Sequence, residues 1–229
     1  MNKEVFFIVP AYKESPDVLR RTVKEVLQKY ENVVVVDDGT PDFSYHDHLE
    51  DLNVIYLRHK INLGQGAAIQ TGMEYALRNG ADILVHFDSD GQHNLHDIPK
   101  MIAYLNEGQA DIILGSRFLE KEDIEHVPFM RRNILKVATY VNWLFTGLKL
   151  TDAHNGLRVM NAAAAKKIHI TENRQAHATQ ILYEIKHFNI PWKEYPTTVF
   201  YSDYSIKKGQ KNINVFNVFF DLILNSFFK

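Results

Sequence analysis

Ile83-Leu84-Val85-His86-Phe87-Asp88-Ser89-Asp90-Gly91-Gln92 is the stretch on which the fold class turns. Its first half is a short, barely alternating apolar run, the pattern of a strand buried on both faces, and such strands belong to parallel sheets covered by helices. The run then stops in two carboxylates and a glycine. Ligands of open α/β sheets bind outside the carboxyl ends of the strands, so Asp88 and Asp90 stand where a ligand would be met.

The same pattern recurs on both sides of this stretch. Val5–Val9, Val33–Val36, Val54–Leu57 and Ile112–Leu114 are further apolar runs, and Pro16–Tyr30 and Gly66–Arg78 carry apolar residues at helical spacing. Strands alternating with helices predict βαβ units and a Rossmann-like, mainly parallel α/β sheet flanked by helices. Beyond about Pro128 the pattern loosens into helices, with short strands expected at Leu157–Met160 and Thr197–Tyr201. This half is expected to build the far side of the ligand site.

With 229 residues, 45% of them apolar, the chain can bury one large core. Its formal charge of −2 creates no global field for nucleic acid, and the absence of cysteine excludes a disulfide scaffold and thiolate chemistry. The N-terminus enters its first strand directly, without the pattern of a signal peptide, so an intracellular protein is expected. No run reaches the eighteen or so apolar residues of a spanning helix. Val137–Leu150, preceded by Arg131, Arg132 and Lys136, and Val215–Phe228, preceded by Lys207, Lys208 and Lys211, are instead rich in aromatics behind basic flanks. That is the composition of helices lying in a membrane interface, with core packing the alternative for the first. The expected division is a catalytic domain over 1–211 and an amphipathic, membrane-associating or oligomerising helix over 212–229.

The residues just after each run supply the chemistry. These are Pro10-Ala11-Tyr12-Lys13-Glu14, Asp37-Asp38-Gly39-Thr40, Asn62-Leu63-Gly64-Gln65-Gly66 and Gly115-Ser116-Arg117. Asp88 and Asp90, one residue apart, can face a divalent cation whose other ligands are diphosphate oxygens and water, with Gln92 as a further oxygen. Taken alone that tripeptide reads as an acidic turn closed by glycine; after a buried strand and before Gln92 it reads as a cation site. Asp37-Asp38 suits a base or ribose, or a turn. The Gly64–Gly66 segment offers backbone N–H groups before a helix, although no Gly-Lys-Ser/Thr follows as in a P-loop. Arg117 can clamp a phosphate or form an ion pair.

Taken in order, IVPAYKE (8–14), VVVVDDGTPD (33–42), NLGQGAAIQTGMEYA (62–76), HFDSDGQH (86–93), GSRF (115–118) and DAHNGLRVM (152–160) resemble glycosyltransferase family two, with its GT-A fold. More narrowly, the chain is similar to the polyprenyl-phosphate glycosyltransferases related to dolichyl-phosphate mannose synthase. That resemblance implies Mg²⁺ or Mn²⁺ on Asp90 and Gln92, and a nucleotide sugar, UDP-linked, held by Pro10, Tyr12, Glu14, Asp38, Asn62, Gly66, Asp88 and Ser89, with Lys207 or Lys208 on the diphosphate. It places Arg117, Arg131 and Arg132 on the acceptor phosphate, and Asp90, Arg117 and Asp152 in catalysis. It further implies a polyprenyl phosphate partner at the cytoplasmic face of the membrane, where a small integral-membrane partner or a second copy is expected. Relatives carry Asn at Lys13 and Ser-Gly-Phe-Arg at Asn155–Arg158, and the arginine of their C-terminal Arg-x-x-Gly-x-Ser-Lys run is missing near Tyr201–Gly209.

A phosphate acceptor is already ionised and needs no general base, whereas a sugar hydroxyl does. Asp152, His154, His177 and Glu184 are the candidate bases for the second case, the last two seven residues apart on an expected helix. A nucleotide-sugar sensor without activity, or an adaptor recruited by its apolar tail, are the non-enzymatic readings.

Overall fold

The computed structural model describes residues 3–120, 132, 139–140, 142–144, 146–153, 155–174 and 176–200. The expectations for Arg131, His154, Lys207, Lys208 and the 212–229 helix lie outside the described residues.

Seven strands form one sheet in the order β3-β2-β1-β4-β6-β5-β7. They are β1 (Val5–Ala11), β2 (Asn32–Asp37), β3 (Ile55–Arg58), β4 (Ile83–His86), β5 (Ile112–Ser116), β6 (Arg158–Asn161) and β7 (Trp192–Pro196). β6 alone runs antiparallel to both of its neighbours, and the other pairings are parallel. The apolar runs are continuous because both faces of the sheet are covered. Phe7, Val9, Val33 and Val35 point to one core and Phe6, Ile8, Val34 and Val36 to the other.

On the first face lie α1 (Pro16–Leu27), with Leu19, Val23 and Val26 buried, and α4 (Ile98–Asn106), with Ile98, Met101 and Leu105 buried. These i, i+4, i+7 and i, i+3, i+7 spacings are apolar stripes on helices whose other side is wet. α1 begins with Pro at its first turn, where a missing N–H costs nothing, and Asp17 follows it. The second face carries α3 (Gln65–Arg78), through Ala68, Ile69 and Met73, and α6 (His177–His187), through Ile181, Leu182 and Ile185. α2 (His46–Leu49) and α5 (Ala162–Ala165) are single turns.

Pro10 in a central strand is accounted for by the ladder. The Ile8 carbonyl accepts from Phe87 on the β4 side and the Ala11 carbonyl from Asp38 on the β2 side. By alternation, the Pro10 nitrogen faces the β4 side beyond Phe87, where that ladder has ended and no donor is needed.

Two expectations are corrected. The strand expected at Thr197–Tyr201 is instead β7 at Trp192–Pro196, an edge strand paired only with β5. Its Trp-Lys-Glu-Tyr-Pro sequence has one buried residue, Tyr195, so it has no apolar run to be noticed. The following residues cross to the acidic loop, where Val199 bridges His93 and the Phe200 N–H donates to the Gln92 carbonyl. The strand expected at Leu157–Met160 is β6, one residue later.

Gly64, which precedes α3, has φ +111°, and a methyl group there would lie 2.1 Å from the Asn173 carbonyl oxygen. Both the backbone angle and the contact demand glycine. Gly64→Ala should therefore lower stability by roughly 2–4 kcal/mol, read as a drop in the urea midpoint; an unchanged midpoint would mean that this junction relaxes freely.

Candidate active site

The carboxyl ends of β1, β2, β4 and β5 converge, as the strand-end motifs require. At the second, the Asp38 carboxylate accepts from His59 Nδ1 at 2.8 Å, Asn62 Nδ2 at 2.8 Å, the Leu63 N–H at 2.9 Å and the Gly64 N–H at 2.7 Å. The other ring nitrogen of His59 meets the Thr71 hydroxyl at 2.9 Å. Asp38 thus organises the 59–64 loop with its own carboxylate, and Asn62 acts through it. Asp37, fully buried, accepts from the Thr40 N–H, Tyr56 Oη and Arg58 Nε.

The loop delivers the start of α3. Gly66 is buried there, with its N–H on the Asn173 carbonyl at 2.8 Å, and the amide of Gln65 donates to Asp88 Oδ1 at 3.2 Å. Asp88 Oδ2 accepts from His93 Nε2 at 2.9 Å, so both oxygens have side-chain partners. Burial raises the Asp88 pKa, but the His93 bond and the positive charge near it, Arg158 above all, outweigh it and hold the group below the usual carboxylate range. Ser89 is buried behind it, and its carbonyl accepts from Thr22 Oγ1.

Asp90 is pushed the other way, upward, first by burial and then by the negative charge of Asp88, with Glu14 adding to it. Gln92 donates to Asp90 through its backbone N–H at 3.0 Å and its side-chain amide at 2.6 Å. Carboxylates that repel one another in the protein alone, beside an amide oxygen, fit a hard divalent cation. Among the described residues no group of three or more His, Cys, Asp or Glu is placed to hold a metal ion, so a cation on Asp90 and Gln92 would take its remaining ligands from diphosphate and water. At the β1 end, Glu14 is buried, its N–H and carbonyl both engaging Tyr45 Oη, while Tyr12 is exposed with Lys13 Nζ over its ring.

Arg117, at the end of β5, does not project freely. It is buried and grips Asp152 with Nε to Oδ2 at 2.6 Å, Nη2 to Oδ1 at 2.8 Å and its backbone N–H to Oδ2 at 3.2 Å. Of the two sequence readings of Arg117, phosphate clamp or ion pair, the geometry displays the ion pair, with a bidentate carboxylate in the guanidinium fork. Asp152 is equally occupied. Glu194 supports the pair from β7 by accepting from the Thr151 and Asp152 N–H groups, and burial raises its pKa. Arg132 is helical and half-buried.

Beneath Asp88 lies a cluster that the strand-end motifs do not announce. His86 closes β4 and pairs in register with Arg158, which opens β6; both are 2% exposed. His177, at the start of α6, is buried beside them, its Nδ1 on the Arg174 carbonyl at 2.6 Å. Burial, then the Arg158 charge, lowers His86 to about 3 and His177 to about 4. Arg158 is itself lowered by burial to about 10 and stays charged at neutral pH. Of the residues that sequence reasoning left without a role, Gln65, His86 and His93 were visible inside quoted motifs, whereas His59 carries no local signal.

Two outcomes follow from these charges. Asp152→Asn leaves Arg117 buried without its counter-charge and should cost about 3–5 kcal/mol, measured by urea unfolding, with Arg117→Met in the same chain restoring a large part. Between pH 6.5 and about 4 the unfolded chain binds protons that folded His86 and His177 refuse, so stability should fall on acidification across that window, by up to ~1.4 kcal/mol per pH unit for each histidine. His86→Leu should flatten that slope; an equal slope would mean that His86 is protonated in the fold.

The comparisons with known proteins agree with this geometry. The model of "Glycosyl transferase family 2" matches residues 6–169. An uncharacterized protein of Methanocaldococcus jannaschii is 33% identical over 228 residues, which is 98% of this chain and 93% of that protein. The UDP-N-acetylglucosamine–dolichyl-phosphate N-acetylglucosaminyltransferase of Methanococcus voltae is 28% identical over 243 residues, 97% of this chain and 96% of that one. Among solved structures, glucosyl-3-phosphoglycerate synthase from Mycobacterium tuberculosis, in complex with Mn²⁺, UDP and phosphoglyceric acid, superposes with a TM-score of 0.64 at 10% identity, over 96% of this chain and 78% of that one. The last supports the GT-A fold alone. With more than half of its length matched by the family model and its acidic loop at the sheet edge where that fold binds ligands, the chain belongs to glycosyltransferase family 2.

Proposed function

We propose that this glycosyltransferase moves a sugar, glucose or N-acetylglucosamine, from a UDP-sugar to a polyprenyl phosphate of the undecaprenyl or dolichyl type, with inversion at the sugar carbon, for the assembly of cell-surface glycans. The observation that carries the reading is the state of Asp152. Both of its oxygens are bonded by Arg117, so the strongest candidate base is not available to deprotonate a hydroxyl. His177 is buried with a lowered pKa, and Glu184 lies two turns further along α6. A phosphate acceptor asks for no such base. The Methanococcus voltae relative, whose name pairs a UDP-sugar with dolichyl phosphate, supports the same substrates.

In this reading catalysis rests on positioning and charge. Asp90 and Gln92 would hold Mg²⁺ or Mn²⁺, which when bound neutralises charge on the departing nucleotide diphosphate. Gln65 and His93 hold Asp88 in one orientation toward the nucleotide, and Pro10, Tyr12, Glu14, Ser89, Asn62 and Gly66 line its surroundings. Lys207 or Lys208 would reach the diphosphate, and Arg131 and Arg132 the lipid side.

The enzyme is proposed to work against the cytoplasmic face of the membrane. No helix among the described residues is long and apolar enough to cross one. Tyr140, Trp143 and Leu144 are exposed on helical residues, with Tyr183 and Phe188 exposed at α6, and Asn142 ties the two regions together through Thr179. Aromatics of this kind suit the headgroup level of a bilayer. A small integral-membrane protein or a second copy would complete the attachment.

A screen of UDP- and GDP-sugars against undecaprenyl and dolichyl phosphate, with product masses measured, should yield one glycosyl phosphoryl polyprenol. Elongation of a glycan with no phospholipid product would overturn the acceptor. In the same assay Asp90→Asn should lose roughly 100-fold or more in turnover together with its dependence on Mn²⁺.

A further inference from the structure

Of the three arginines expected to receive a phosphate, Arg117 is held by Asp152 and Arg131 lies outside the described residues. Arg158 differs from both. The residue is 2% exposed, no hydrogen bond or ion pair joins its guanidinium to a described residue, and no nitrogen of it is among the fully buried atoms without a partner, so the guanidinium keeps the little exposure that the residue has. Buried donors, above all charged ones, are almost always matched by acceptors.

The surroundings do not supply that match. The two carboxylates whose fields reach Arg158 are those of Asp88 and Asp152. Asp88 is bonded by Gln65 and His93, and Asp152 by Arg117. His86 and His177, the titratable neighbours on the same face of the sheet, stay neutral. In register, the step beyond the His86–Arg158 pair brings Asp88 against Gly156, where a methyl group would lie 2.3 Å from Asp88 Oδ2. Arg158 is therefore one pair of residues beneath the donor side of the site, under a position that carries no side chain.

We propose that Arg158 is the guanidinium of this site that binds a substrate phosphate, taking an oxyanion in its fork from beneath Asp88 and Gly156. The proposal rests on the glycosyl transfer read above. The oxyanion has two chemical sources, the donor's diphosphate and the lipid's phosphate, and a guanidinium fork suits either.

Steady-state kinetics of Arg158→Gln and Arg158→Lys, with the full chain and both substrates varied, separate the sources. Arg158→Gln should raise the KM of one substrate tenfold or more, with the other within about twofold, and Arg158→Lys should recover part of the loss. A higher donor KM assigns the diphosphate, and a higher polyprenyl phosphate KM assigns the acceptor. Folded Arg158→Gln with both KM values unchanged overturns the proposal. Should that variant not fold, the Arg158 Nε–H resonance of the wild-type chain decides: a shift on adding UDP with Mn²⁺, or farnesyl phosphate, supports the contact, and no shift at saturation with both overturns it. A shift with UDP in a chain that glycosylates no polyprenyl phosphate keeps Arg158 as a phosphate ligand while overturning the proposed acceptor.

Discussion

A single carboxylate organises the sheet edge on which the acidic loop sits. Asp38 leaves β2 and accepts four hydrogen bonds from residues 59–64, two of them from backbone N–H groups that would otherwise need partners in a loop. That closure sets where α3 begins. The first residue of α3, Gln65, then reaches Asp88 at the end of β4. The ends of two strands separated by β1 are thereby referenced to one another through a helix N-terminus, without contact between the two aspartates themselves. Charge-assisted hydrogen bonds of this kind are stronger than neutral ones, which is what a loop needs if it is to hold a fixed shape beside a polar ligand.

Beyond β4 the site is governed by how its charges are divided. Asp88 is held low by its His93 bond and the positive charge near it, whereas burial and the charge of Asp88 push Asp90 up, so one carboxylate carries the partners and the other the repulsion. A divalent cation relieves such a pair. At the end of β5, Arg117 and Asp152 neutralise one another in a buried bidentate pair. Buried ion pairs contribute little net stability, yet losing one partner is expensive, which makes the pair a strong constraint on geometry. Supported by Glu194, it ties the end of β5 to the loop before β6 and to the edge strand β7.

Legibility followed burial. β1, β2, β4 and β5 were readable because each is covered on both faces and must be apolar throughout. β7 was not, since an edge strand with one buried residue satisfies its backbone from one side and leaves its side chains nearly unconstrained. The acidic loop was readable because Asp88, Asp90, Gly91 and Gln92 are adjacent in the chain. Arg117 was seen as well, but its partner lies 35 residues away and could not be paired with it from spacing. Arg158 falls within a quoted motif, while the absence of an acceptor for it among the described residues depends on side chains far apart in the chain.

The amino-acid sequence by itself determined the alternation of buried strands and helices, the parallel sheet and the family, because those depend on local periodicity and on motifs contiguous in the chain. The tertiary structure alone decided which charges meet. Asp38 closes a loop from within, Arg117 answers to Asp152, and Arg158 is left with donors to give, since hydrogen bonding and desolvation are set by distances between residues that the chain order keeps apart.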